Sequence, residues 1–382
     1  MLVSPTLIDR ISALLAHFDT AILPAWTGPG WQPSMQLAHE ALDGATGQPL
    51  PDKRYRAMAC ARQLYVFATA TAGNLAHAST LFGSLVRHFG DGAGGWIYSI
   101  DPQGAPLDVS RDLYTHAFAV FACAHYYRAS RDPVALETMR RTVAVIEERF
   151  ADGNGLYHAA LAENFGQNGS GILQNPVMHL TEAYLAALEA TGDPWFAERL
   201  RALADAVHAR FVDPADGCVA ELPQGTAGNR IEPGHQFEWY SLIMTAPSLF
   251  GGSPLVPALQ HAFTFARSHG VAEGTLGVCA ALDGQGGVLD DIERIWAQTE
   301  FARALVVKAS VDATADATND TAAAPLVELE AWIDRFRARF LHADGWHECV
   351  APNGDVVRPE MPSTTPYHLL TAWQALRTLL PA

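Results

Sequence analysis

The sequence predicts an all-α fold: an (α/α)6 barrel of six helical hairpins, with short β-hairpins in the long loops at one end. Three observations lead there. Apolar residues recur at helical spacing along nearly the whole chain. Short proline turns join many helices in pairs. Helices that follow the long connections begin near 112, 175, 235, 294 and 366, roughly 60 residues apart with the last interval longer. A fixed period with two helices per unit signals a closed or stacked helical repeat. An open superhelix of the same hairpins is the structural alternative.

The periodicity predicts helices over 5–18, 53–72, 74–89, 112–130, 133–150, 175–191, 194–212, 235–250, 254–269, 294–310, 324–341 and 366–380. The pairing turns are Ser130-Arg131-Asp132-Pro133, Gly192-Asp193-Pro194 and Gly251-Gly252-Ser253-Pro254. Each puts proline in the first turn of the next helix, where its missing N–H costs nothing. The long connections share a grammar of glycine and a strand-like run: Gly95-Trp96-Ile97-Tyr98, Gly155-Leu156-Tyr157-His158, Gly217-Cys218-Val219-Ala220 and Gly345-Trp346-His347-Glu348. Second turns such as Pro102-Gln103-Gly104 and Pro352-Asn353-Gly354 complete small β-hairpins. Residues 1–382 read as one domain, and the small, polar stretch 309–324 reads as a flexible insertion between two helices, with no part in catalysis.

Nearly half of the residues are hydrophobic and charged residues are sparse, so the chain buries a large core. The formal charge is −16, from 25 basic and 41 acidic residues. That argues against a nucleic-acid or anionic-membrane partner, either of which needs a basic face. Cys60, Cys123, Cys218, Cys279 and Cys349 are scattered and make no Cys-x-x-Cys pair, which fits free core thiols in a reducing compartment. The N-terminus reads as an amphipathic helix rather than a signal peptide, and no apolar run reaches membrane-spanning length. A soluble, cytoplasmic protein is expected, with a homodimer admitted.

The helix openings hold much of the polar chemistry. They supply Tyr114 and His116; Asn175, His179 and Glu182; His235 and Glu238; Arg294, Trp296, Gln298 and Glu300; and Pro366-Tyr367-His368. Arg62 lies on the first ring helix. Each alone has an ordinary explanation: a histidine as a hydrogen-bonded core residue, Glu182 and Glu238 as acids favoured by the helix dipole, Trp296 as a core aromatic. The signal is recurrence, with two His-x-x-Glu units and a third histidine at matching points of one repeat. One reading is half of a carboxylate–histidine metal site, though no His-Glu-x-x-His or dense acidic ligand set supports it. The other is acid–base chemistry, in which imidazoles move protons and carboxylates orient them. Proton abstraction next to a carbonyl fits that reading, with an arginine for the developing oxyanion. There is no phosphate loop, nucleophile elbow or dinucleotide fingerprint.

The stretches RQLYVF (62–67), NPVMHLTEA (175–183), GHQFEW (234–239), RIWAQTE (294–300) and STTPYHL (363–369) resemble the N-acylglucosamine 2-epimerase superfamily, which includes cellobiose 2-epimerases and mannose and sulfoquinovose isomerases. The resemblance runs from about residue 50 to the end and implies an (α/α)6 barrel. It implies that His235 and His368 are the acid–base pair, with Glu238 and Glu300 positioning or polarising them. His179 would open the sugar ring, Asn175 would bind a hydroxyl, and Arg62 would hold the enediolate oxygen. Tyr114, Trp296, Gln298 and Glu182 complete the expected substrate-binding set. No cofactor and no catalytic metal are implied, and the partner is a monosaccharide. The motifs lean toward an aldose–ketose isomerase acting on D-mannose, with a sugar 2-epimerase as alternative. A glycoside hydrolase or lyase on the same barrel, and a non-catalytic sugar binder, are the readings from other classes. His116 and the segment 309–324 are departures from the family pattern.

Overall fold

The computed structural model describes residues 3–70, 74–315 and 320–381. Among them are twelve helices of twelve residues or more. They are α1 (Pro5–His17), α2 (Ala57–Thr69), α3 (Leu75–Phe89), α4 (Leu113–Ser130), α5 (Pro133–Val145) and α6 (Gln174–Thr191). Then come α7 (Pro194–Phe211), α8 (Pro233–Met244), α9 (Leu255–Gly270), α10 (Ile295–Ala315), α11 (Asp320–Phe340) and α12 (Thr365–Arg377). The strands are two or three residues long, in small antiparallel pairs and triplets.

Two compact units are present. The first comprises Met1–Pro24, Val212–Met361 and His368–Ala382; the second comprises Ala25–Phe211 and Pro362–Tyr367. In the second unit α2, α4 and α6 pack side by side, and α3, α5 and α7 each back onto the preceding helix. In the first, α8 packs on α10, with α9 and α11 backing them and α1 lying along α11. Arg10 of α1 joins Glu330 and Asp334 there.

Sequence decides which helix takes which role. Residues 115–124 of α4, 57–67 of α2 and 233–243 of α8 are buried without a break: apolar side chains occupy most of the circumference, and the polar ones among them, such as Arg62, His116, His235 and Glu238, are buried too. By contrast, α7 buries one stripe: Phe196, Leu200, Leu203, Ala204, Val207 and Phe211. That is the helical period with a polar face left to solvent.

The turns follow the expected chemistry. Arg131 caps α4 in the left-handed region at φ 59°, and the Asp132 carboxylate accepts the Val134 N–H to start α5 on Pro133. Gly192, at φ 69°, ends α6 just ahead of Pro194. Hairpins form at the glycine runs: Ser99–Ile100 pairs with Pro106–Asp108, and Cys349–Val350 with Val356–Arg358.

Two boundaries differ from expectation. The helix expected over 235–250 stops at Met244, and a separate turn runs over Pro247–Phe250. Pro247 removes a donor and forces Ala246 out of the helical region, to φ −123°. In the stretch 309–324, α10 runs on to Ala315 and α11 starts at Asp320; residues 316–319 lie outside the described residues. Alanine, the best helix former, recurs through both extensions and carries the helices on where low complexity suggested a loop. Among the described residues no helix is long and apolar enough to cross a membrane.

Candidate active site

In the first unit α8 opens on Pro233 and carries His235 in its first turn. Gly234 between them is required by closeness: a Cβ there would lie 2.7 Å from the Trp296 ring and 2.8 Å from Ala297. The missing side chain lets the helix start seat against α10. Trp296 and Glu300 stand one turn apart on α10, and His368 follows at the fourth residue of α12.

The ring of Trp296 is 4.9 Å from that of His235 and 5.7 Å from that of His368. Nδ1 of His368 is 3.1 Å from Glu300 Oε1, and the other Glu300 oxygen is 3.4 Å from Arg303 Nη1. One donor atom each from Glu238, Glu300 and His368 lie within 4.8 Å of one another, all three side chains buried. Nδ1 of His235 is 2.6 Å from Glu221 Oε1 and 3.7 Å from Glu232 Oε2. Burial pulls the His235 imidazole down, but the charge and hydrogen bond of Glu221, then Glu232, more than offset it and hold it above the ordinary histidine value of 6.5. In the second unit, Nδ1 of His179 is 3.2 Å from Glu182 Oε2. All three histidines thus turn Nδ1 to a carboxylate. A carboxylate only accepts, so the neutral rings carry Nδ1–H, and Nε2 is the basic nitrogen.

The second unit gathers its polar groups around Tyr367, which donates its O–H to Glu182. The Arg62 guanidinium lies 4.2 Å from the Phe118 ring centre, 4.7 Å from Tyr367 and 5.5 Å from Tyr114. Its Nη2 donates to the Tyr114 hydroxyl at 2.6 Å, while Nε has no hydrogen-bond partner. Arg62 is 5% exposed and has no ion pair among the described residues. Removing a cation from water costs several kcal/mol. Cation–π contacts return about 0.5–2 kcal/mol each, but none of them supplies a counter-charge, so the buried cation suits an oxyanion. Tyr114 stands edge-on to His179 at 4.8 Å. Asn175 buries an Oδ1 with no partner, a hydrogen-bond acceptor in wait for a hydroxyl.

Gln298 does not join this set. Its Oε1 accepts from Val278 N at 2.8 Å and its Nε2 donates to Val278 O at 2.9 Å, so its amide is engaged by the backbone rather than by substrate. Gln236 holds Val219 in the same way. His116 is the same device with an imidazole: Nδ1 donates to Asp112 O at 2.7 Å and Nε2 accepts from Trp96 N at 3.1 Å. These are the fourth residues of α4, α8 and α10, each pinning the backbone of a residue in a connection, Trp96, Val219 and Val278.

This clamp carries a prediction. Burial lowers the His116 imidazole from 6.5 to about 4, so it folds neutral. Its contribution is complete above the unfolded value and is lost as pH falls toward the folded one, about 3 kcal/mol in all. Melting scans should show His116→Ala destabilised by about 2–3 kcal/mol, from the orphaned Trp96 N–H and the cavity. His116→Gln keeps the clamp and should lose less than half as much. Equal losses in both variants contradict the clamp.

Sequence reading missed Glu221, Glu232, Arg303 and Tyr367 as site groups. Glu221 lies in a loop 14 residues before its histidine, and Tyr367 meets Glu182 across 185 residues, so spacing marks neither.

Two sets in the first unit offer donors to a metal: Glu221, Glu232 and His235, and Glu238, Glu300 and His368. Ligands about 2.0–2.1 Å from one ion lie roughly 3 Å or more from each other. The 2.6 Å between Glu221 and His235 is instead the length of a charge-assisted hydrogen bond. That set closes on a proton. The second set, held more loosely, could accept a divalent ion.

The sequence pattern of the N-acylglucosamine 2-epimerase (GlcNAc 2-epimerase) family matches residues 40–372. A protein named mannose-6-phosphate isomerase, from Rhizobium meliloti (strain 1021), is 27% identical over 392 residues, covering 96% of each chain. A crystal structure of D-mannose isomerase superposes with TM-score 0.82 at 19% identity, over 99% of this chain and 100% of that one. Cellobiose 2-epimerase from Bacillus thermoamylovorans B4167 superposes with TM-score 0.82 at 18% identity, over 97% and 98%. The fold they share with this chain is the (α/α)6 barrel predicted from the repeat. With five sequence motifs, that fold and a family match over most of its length, the chain belongs to the N-acylglucosamine 2-epimerase family of carbohydrate isomerases and epimerases.

Proposed function

We infer that the protein is a cofactor-independent aldose–ketose isomerase that interconverts D-mannose and D-fructose through a cis-enediol(ate). The observation that carries this reading is the pair of carboxylate-backed histidines, His235 and His368, in ring contact with one tryptophan. A relative named D-mannose isomerase, from Thermobifida fusca, and the solved D-mannose isomerase support the choice of the free sugar over the phosphate ester in the name of the Rhizobium meliloti relative.

The pyranose opens as an acid protonates the ring oxygen while a base takes the anomeric hydroxyl proton, with His179 assisting. The C2 proton, acidified by the free aldehyde, then moves to a histidine. His235, held protonated by its two carboxylates, is suited to be the acid; His368, backed by Glu300 and Glu238, is suited to be the base. Arg62 holds the enediolate oxygen, and Asn175, Tyr114, Glu182 and Trp296 orient the hydroxyls and the carbon face. Reprotonation at C1, with loss of the O2 proton, yields the ketose; reprotonation at C2 from the opposite face yields the epimer.

Purified protein given D-mannose in EDTA should form fructose at an undiminished rate. A rate abolished by EDTA and restored by a divalent ion would transfer the chemistry to the Glu238, Glu300 and His368 donors. The second reading is a 2-epimerase, favoured by relatives named cellobiose 2-epimerase. Glucose from mannose, or N-acetylmannosamine from N-acetylglucosamine, without fructose, selects it. Release of reducing ends from an oligosaccharide selects a hydrolase instead.

A further inference from the structure

We propose that Glu221 is the positioning residue of His235, fixing the Nδ1 edge of the ring so that Nε2 alone exchanges a proton with the sugar. The catalytic half of this inference rests on the isomerase reading above; the electrostatic half stands without it.

At 2.6 Å, Glu221 Oε1 and His235 Nδ1 share one hydrogen. A ring flip would give up a buried charge-assisted bond, one of the stronger kinds a protein makes. Glu221 is itself held by its loop. Its N–H donates to Arg230 O at 3.1 Å. Next to it, the Asn229 side chain accepts from Leu222 N at 2.9 Å and donates to Leu222 O at 2.7 Å. That closes the loop at its base.

Glu232 is closer in sequence but plays the lesser part. Its Oε1 takes Arg230 Nη2 at 2.6 Å and Nε at 3.1 Å, so its charge is balanced, and it stands 3.7 Å from the imidazole. The charged groups that face His235 include Glu221, Glu232 and, with opposite sign, Arg230. Trp296 lies against the ring at 4.9 Å. Removing the Glu221 charge removes the main support of the imidazolium, so its proton is lost at lower pH. The limb of the pH–rate profile that reports loss of the His235 proton is the alkaline one, and it should move down.

The test uses the full chain and the variants Glu221→Gln, Glu221→Asp and Asn229→Ala. Imidazole NMR without substrate should show His235 as the Nδ1–H tautomer when neutral, titrating above the ordinary histidine range. Glu221→Gln should lower its proton affinity at least ~10-fold. Against mannose, the alkaline limb should move to lower pH. Above neutrality kcat should fall at least ~10-fold with KM within ~3-fold. Glu221→Asp should recover part of the loss, and Asn229→Ala should show a smaller shift of the same sign. An unchanged His235 titration in Glu221→Gln overturns the proposal. So does a loss of activity equal at every pH, which is what a merely structural residue would give. If Glu221→Gln does not fold, the Asp and Asn229 variants decide the matter by the same two readouts. A wild-type protein that turns over no sugar defeats the isomerase reading, while the titration still tests Glu221.

Discussion

His368→Ala and His235→Ala should each lower turnover by at least ~10²-fold, the usual scale for a lost general acid or base. His368 touches Glu300 through Nδ1 and Trp296 through its ring, so alanine removes the proton carrier and leaves the Glu300–Arg303 pair in place. His235 is the stronger case. Two carboxylates face its Nδ1, and alanine would take the imidazolium away from Glu221, which holds it at hydrogen-bond distance. The loss should appear in kcat more than in KM, as expected of groups proposed to act on protons in transit. His368→Gln should be as inactive as alanine, since an amide fills the space but does not titrate. Steady-state kinetics on variants with unchanged melting temperatures checks this. Full activity in either alanine variant removes that residue from the mechanism.

Arg62→Lys is expected to cost ~10²–10³-fold in kcat, the range for a lost oxyanion donor. The substitution keeps the charge, so the size of the effect is informative. The guanidinium is a flat fork lying over the Phe118 and Tyr367 rings, with Nη2 given to Tyr114 and Nε without a partner. An ammonium is a hydrated point charge without that plane and cannot reach Tyr114 and a substrate oxygen together from the same seat. Tyr114→Phe loses only the hydroxyl that steadies the fork and should cost about 10-fold or less. If Arg62→Lys retained more than a third of wild-type kcat, Arg62 would be a packing residue and not the oxyanion holder.

The fold was legible because its punctuation is chemical. Helix starts expected near 112, 175, 235, 294 and 366 fall at Leu113, Gln174, Pro233, Ile295 and Thr365. Capping aspartates, prolines at first helical positions and a glycine in the left-handed region mark such points without tertiary information. The end of α8 was overrun because apolar spacing resumes beyond Pro247, although that proline already marks the break in the sequence. The candidate site residues are marked in the sequence in the same way as the helices: they recur at the helix mouths. Gln298 was misjudged because a polar side chain at such a mouth can serve the loop as well as the cavity. Only the position of Val278 shows which. Glu221 was illegible because its role depends on a loop folding back onto α8 through Asn229, and no periodicity encodes that. Tyr367 was visible as a helix opening, yet its bond to Glu182 belongs to tertiary structure alone.

Deuterium wash-in tests the central claim most directly: D-mannose is incubated in D2O with wild-type protein, His235→Ala and His368→Ala, and both hexoses are read by NMR. If imidazoles carry a sugar proton through an enediol, wild type should place deuterium at C1 of fructose and at C2 of recovered mannose, and both variants should lose it together. Fructose formed at wild-type rate by either variant, or no deuterium in any sugar after many turnovers, would contradict it.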